Sequence, residues 1–219
     1  VSRRLISPRE YDRNSVYSIR SPWKYPAHGI GGRHGEGTML DKLTQLGAAP
    51  IDLPLKMKTQ LLADLEAEVG PFPDDYRNLL LHFGGDIEFT SFIKFRTDEP
   101  SPWAAEDGTD ALEILYGLVS KYGLSMFQMF ETYKGRIAAG WIPIGEAPGG
   151  NQICLRIDAS DGSQSVGFWD HESEVGPGLM PSGGGLTKIA SSLGDFVSRL
   201  TREDPPENTP RAVKVDLQF

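Results

Sequence analysis

The sequence predicts an α+β domain, with a mixed or mainly antiparallel sheet backed by amphipathic helices. Three observations predict it. Leu61, Leu62, Leu65 and Val69 recur at helical spacing; the segment from Trp141 to Glu172 alternates apolar and polar residues around turn signals; and Ile189, Leu193, Phe196, Val197 and Leu200 return to a helical period. With 219 residues, 39% of them hydrophobic, the chain can bury one substantial core with appendages.

The first forty residues carry no sustained apolar period. They contain Ser-Pro and Tyr-Pro pairs and a glycine-rich run from His28 to Gly37, so residues 1–40 are expected to form an arm, with Tyr11, Tyr17, Trp23 and Tyr25 able to dock. Ordered structure is expected from about Leu55. The helix from Leu55 to Val69 stops at Gly70-Pro71. Pro73 suits the first turn of the next helix, Asp74 and Asp75 favour its N-terminus, and Tyr76, Leu79, Leu80 and Phe83 line one face before Gly84-Gly85.

From Ile87 to Phe95 the residues are β-branched and aromatic, with Ile87, Phe89, Ser91, Ile93 and Phe95 on one alternating face of a strand. A Pro- and acid-rich loop follows from Arg96 to Asp110. Residues 111–118 fit a strand or a short helix, and Met126, Met129, Phe130 and Tyr133 mark a helix.

Trp141 to Gly145 is a short strand, Pro148 to Asn151 a turn, and Ile153, Leu155 and Ile157 alternate along the next strand. Asp161-Gly162 is a hairpin signal, and Val166 and Phe168 alternate on the return. A meander with one apolar face results, and the last helix can cover that face. Beyond the 41–202 domain, the tail 203–219 alternates at Val213, Val215, Leu217 and Phe219 and suits an edge strand.

The net charge of −8 is unevenly spread. Seven basic residues face two acidic ones in positions 1–35, leaving about −13 on the remainder. An acidic body repels nucleic-acid phosphates and attracts cationic surfaces, including the basic faces of nucleic-acid-cutting proteins. The same charge also keeps a domain soluble. Direct nucleic-acid binding is not expected, since the basic arm lacks a following RNA-binding sheet motif. The single cysteine, Cys154, cannot close an intramolecular disulfide, and the sequence shows neither a charged-then-apolar leader nor a membrane-spanning apolar run, so the cytoplasm is the expected compartment.

No pattern supplies catalysis or a cofactor. His28, His34, His82 and His171 have no cysteine at zinc-ligand spacing, and neither Gly29 to Gly32 nor Gly183 to Gly185 fits a phosphate-binding loop. Asp170-His171-Glu172 is the sharpest acid–base candidate, but adjacent strand residues point to opposite faces, and a polar turn explains the trio. Cys154 has Arg156 two residues along but no other mark of a nucleophile. No catalytic residue, metal ligand or cofactor is therefore assigned.

The order of motifs carries more. Phe72-Pro73-Asp74-Asp75-Tyr76-Arg77-Asn78-Leu79-Leu80, then Gly84-Gly85, then Ile142-Pro143-Ile144-Gly145, then Gly149-Gly150-Asn151-Gln152-Ile153-Cys154-Leu155, then Val166-Gly167-Phe168-Trp169-Asp170-His171-Glu172, and a closing helix at Leu193 to Phe196, together resemble the SUKH superfamily over roughly residues 55 to 202. That superfamily joins fungal regulators of cell-wall glucan synthesis to bacterial immunity proteins. One departure stands out: Phe83 precedes Gly84-Gly85 where the family usually has Asn, which counts against a polar role for that helix end and leaves the fold reading intact, since Phe83 continues the apolar face.

The resemblance implies an α+β domain, no catalytic residues, and a non-enzymatic immunity-type protein whose partner is a cognate protein toxin, plausibly a nuclease. A regulatory or scaffolding domain like the fungal relatives is the alternative. An acidic protein can occlude a basic surface and gain association rate from steering. The expected partner-binding residues are Asp98, Glu99, Trp103, Glu106, Asp107 and Asp110, an aromatic anchor among carboxylates, with Asp170 and Glu172 as a second patch.

Overall fold

In the computed structural model the described residues are 38–158, 164–173 and 185–203. The expectations for the basic arm, the Asp161-Gly162 turn and the tail strand from Val213 lie outside them.

Helix α1 (Met39–Gln45) precedes the first helix expected from periodicity. It is short, but Thr38 and Asp41 form a reciprocal capping box and Leu43 is fully buried. Order thus begins earlier than Leu55, because a cap and one deeply buried leucine suffice where no long period exists.

Helices α2 (Leu55–Val69) and α3 (Asp74–Phe83) follow the predicted pattern. Leu62, Leu65, Tyr76, Leu79, Leu80 and Phe83 are buried, while Leu61 and Val69 are partly buried. Pro73 sits one position earlier than expected, as the N-cap of α3. Glu66 fastens the corner between the helices: its carboxylate pairs with Arg77 and accepts the backbone N–H of Phe72 at 2.9 Å. At the far end of α3, Gly84 adopts φ +76°, and the Lys58 ammonium donates to the carbonyl of His82 at 2.9 Å. A cation there complements the negative end of the helix dipole.

Strand β1 (Ile87–Arg96) keeps the predicted alternation, with Ile87, Ile93 and Phe95 buried. Residues 109–115 resolve as strand β2 (Thr109–Leu115), paired antiparallel with β1 and, at its far end, with β3 (Trp141–Ala147). Between them lies helix α4 (Met126–Tyr133), which Ser125 and Gln128 cap reciprocally. Strands β4 (Asn151–Arg156), β5 (Val166–Trp169) and β6 (Leu186–Ala190) complete one side of the sheet. Helix α5 (Leu193–Arg199) leads into strand β7 (Thr201–Glu203), which pairs with β1. The sheet order is β6-β5-β4-β3-β2-β1-β7, and every neighbouring pair is antiparallel.

Two expectations are corrected here. Ile189 belongs to β6 rather than to the last helix. The helix starts only after Ser192, whose side chain accepts the N–H of Asp195 at 3.0 Å, while the Ile189 carbonyl is taken up by other partners. The meander also has two buried faces, not one. Ile153, Leu155, Val166 and Phe168 join the main core under the helices, whereas Cys154 and Trp169 pack on the other face with Ile137, flanked by Tyr133, Trp141 and Leu186. Ile157 is only partly buried. Tyr133 meets Trp169 edge-on at 5.4 Å between centroids. The polar-looking alternation hid this second layer because Asn151, Gln152 and Cys154 are themselves buried. Gln152 is satisfied there, accepting from Tyr116 at 2.8 Å and donating to the hydroxyl of Tyr133 at 3.0 Å.

The main core is closed by α5, where Phe196 meets Phe95 edge-on at 5.1 Å. Where β2 ends, Gly117 runs against the backbone of Gly85, and a Cβ built at Gly117 would stand 2.0 Å from the Gly85 carbonyl carbon. Gly85 and Val119 form a parallel bridge at this crossing. A glycine is required there by contact between two backbones.

Candidate functional site

The chain leaving β1 does not end at its own side of the sheet. The N–H groups of Asp98 and Glu99 donate to the carbonyls of Ile189 and Lys188 at 3.2 and 3.3 Å, on the outer edge of β6 at the opposite end of the strand order. Arg199 secures this seam. Its guanidinium pairs with Asp98 at 2.7 Å and Asp195 at 2.8 Å and donates to the carbonyl of Ile189 at 2.9 Å. Burial alone would raise the Asp195 carboxyl, but Arg199 and the N–H and hydroxyl of Ser191 outweigh it and hold the group at about 2.

From this seam the acidic loop folds back on itself. The Ser101 hydroxyl donates to Asp110 Oδ2 at 2.5 Å and accepts the N–H of Trp103 at 3.1 Å, so one serine ties the loop's beginning to its end. Asp107 accepts from both the N–H and the hydroxyl of Thr109 at 3.0 and 2.6 Å. Those bonds pull the Asp107 carboxyl below its usual range. The backbone closes between Ala105 and Thr109 at 2.8 Å.

The loop is fixed at its centre by a long-range contact. Trp103 Nε1–H donates to Asp170 Oδ1 at 2.9 Å, and the indole lies stacked toward the His171 ring at 6.4 Å and 29°. Asp170 also accepts from the Ser173 hydroxyl at 2.6 Å and the Glu172 N–H at 3.0 Å. Burial pushes its carboxyl up, yet these three donors together bring it below the usual range. Asn151, buried at the start of β4, accepts the His171 N–H at 3.1 Å and meets His171 Nδ1 at 3.0 Å, while its own amide donates to Pro148. With that orientation of Asn151, His171 carries its proton on Nδ1.

The structure therefore brings the two predicted patches into one surface. Glu99, Glu106, Asp107 and Glu172 are exposed, Asp98 is exposed but ion-paired, and Trp103 keeps 42% of its surface open. Asp170, 6% exposed, is turned to internal donors and holds the surface in place, while Asp110, 8% exposed, is bonded to Ser101 and the N–H of Ala111 and still borders the open notch beside Trp103. Sequence reasoning missed the residues that organise it: Ser101, Asn151, Ser173 and Arg199. It also missed Phe92, 51% exposed on the outward register of β1, although an aromatic at a position expected to be polar was a legible signal.

The acid–base constellation does not assemble. The Asp170 carboxylate faces Trp103 and Ser173, and the His171 ring faces an amide, so neither poises the other for proton transfer. Cys154 is wholly buried, and burial pushes its thiol well above the usual value. Among the described residues no group of three or more His, Cys, Asp or Glu could hold a metal ion, and no helix is long and apolar enough to cross a membrane.

Comparison with known proteins agrees with the motif order. The model of the SMI1/KNR4 family (SUKH-1) matches residues 56–199. The SPbeta prophage-derived uncharacterized protein YokK of Bacillus subtilis (strain 168) is 32% identical over 154 residues, covering 65% of this chain and 73% of that protein. No solved structure matches.

Proposed function

Since the chain belongs to the SMI1/KNR4 family (SUKH-1), we propose that it is a non-enzymatic, immunity-type protein that binds and neutralises a basic protein toxin, such as a nuclease, in the cytoplasm. The observation that carries this reading is the clamped acidic loop. An exposed tryptophan, held by Asp170, lies on the same loop as exposed Glu99, Glu106 and Asp107, and exposed Glu172 follows two residues after Asp170.

A binding surface gains affinity when its aromatic anchor is already immobile, because less rotamer and loop freedom is lost on association. Here the loop is fastened at Asp98, Ser101, Trp103 and Asp110 before any partner arrives. The surrounding carboxylates steer a cationic surface toward it, raising the association rate in a salt-dependent manner. Occlusion of a nuclease's substrate face requires nothing further from this chain.

The test is co-expression with the product of a toxin gene found beside this one, together with binding of the purified pair at low and high salt. Protection and salt-weakened binding are expected, and both are expected to fall when Trp103 is replaced by Ala. A chain that neither binds nor protects sinks the reading, and capture of cell-wall synthesis proteins in its place favours a regulatory scaffold.

A further inference from the structure

Beside Trp103 lies a notch of about 160 Å³, walled by Phe92 and Trp103, flanked by Lys94, Ala105 and Pro148, and reaching Asp110. Its two aromatic walls come from different elements, β1 and the acidic loop, and each exposes a large part of its ring. We propose that this notch receives one arginine side chain of the partner, its guanidinium stacked on the indole of Trp103 and directed at the carboxylate of Asp110. The proposal rests on the immunity reading for its partner and adds the side chain that partner must present.

The size and the walls favour this occupant. A space of 160 Å³ takes one extended side chain but not a helix or a peptide strand. Its open faces are π-systems, which attract cations within about 6 Å of a ring centroid. The chain itself shows the interaction, since the Lys94 ammonium lies 5.9 Å from the centroid of Phe92. The charge of that lysine at the notch is offset by Glu203, which pairs with it at 2.7 Å.

Asp110 supplies the polar end. Each carboxylate oxygen accepts one bond, from Ser101 at 2.5 Å and from the N–H of Ala111 at 3.0 Å, and each keeps a further lone pair. Asp107, exposed and within electrostatic reach of Lys94, adds a second carboxylate near the notch. Arginine fits better than lysine because its guanidinium is flat, weakly hydrated and forked, suited to stacking on an indole while meeting a carboxylate.

The experiment uses the full chain labelled with 15N, and three capped tripeptides, Gly-Arg-Gly, Gly-Lys-Gly and Gly-Leu-Gly. The indole N–H signal of Trp103, identified by its loss in Trp103→Phe, is followed through each titration. The arginine peptide is expected to shift it saturably, the lysine peptide to bind more weakly, and the leucine peptide to leave it unmoved. Phe92→Ala, at an exposed position, and Asp110→Asn should each weaken the arginine peptide by about tenfold.

A leucine peptide that shifts the signal as strongly, or an arginine peptide with no effect, overturns the notch. If toxin protection persists while the arginine peptide has no effect, the notch fails and the immunity reading stands. Arginine binding by a chain that gives no protection leaves the notch and removes the immunity reading.

Discussion

Trp103 and Asp170, 67 residues apart in sequence, are joined by a 2.9 Å hydrogen bond from the indole N–H to the carboxylate. That bond fastens the acidic loop to the end of β5 and fixes the orientation of its exposed aromatic ring. Replacing Asp170 with Ala removes the acceptor for Trp103, Ser173 and the N–H of Glu172 together. A loss of about 1–3 kcal/mol in stability is expected from denaturant unfolding. Faster hydrogen exchange at the Trp103 indole should accompany it, and unchanged exchange would mean that the loop is held by other contacts.

The Arg199 seam should give the fold a marked acid sensitivity. The Asp195 carboxyl is lowered from the ordinary aspartate value of about 3.9 to about 2 in the folded chain. A group lowered on folding contributes stability above its unfolded value and loses it as pH falls through its folded one. Stability should therefore drop as pH falls from about 4 toward 2, and Asp195→Asn should flatten that part of the pH profile. Asp170, also lowered, acts in the same direction.

Asp110 has the opposite sign. Burial raises its carboxyl, although Ser101 and the N–H of Ala111 oppose the shift. Its contribution is greatest below the ordinary aspartate value and declines as pH rises through the higher folded one. Asp110→Asn is thus expected to fold at neutral pH with a change in unfolding free energy within about 1 kcal/mol, measurable by urea titration.

Gly117→Ala should be severe. The new Cβ would meet the Gly85 backbone at 2.0 Å, and a backbone cannot turn aside as a side chain tip does. A cost of about 3 kcal/mol or more is expected. A variant with unaltered thermal unfolding would show that the β2 exit is free to move.

Cys154 serves as a reporter of unfolding. Its thiol is wholly buried beside Trp169, and burial keeps it protonated. A thiol-specific reagent should react with the native chain only at the rate of its opening, and fast reaction should appear in denaturant.

The helices α2, α3 and α4 and the strand β1 were legible because each buries one face, so the apolar period survives in the sequence. Helix α1 was not, since a single buried residue, Leu43, sets no period. The second buried layer of the meander was also hidden. Gln152 falls on the polar side of the alternation and Asn151 at the end of a turn, yet their partners Tyr116, Tyr133 and His171 come from segments 19 to 36 residues away. For the site, the acidic loop and its tryptophan could be named from composition, while Ser101, Asn151 and Arg199 had no local mark.

By itself the sequence determined the α+β class, the order of most elements and the family likeness, because these rest on periodicity and on motifs short enough to be read along the chain. Only the tertiary structure decided which acidic residues face solvent and which are held inside. It also decided that the loop from β1 crosses to the edge of β6 and that Trp103 meets Asp170. The physical reason is that these contacts join groups far apart in sequence, and a side chain's charge does not reveal whether its hydrogen-bond partner will be water, a partner protein or the chain itself.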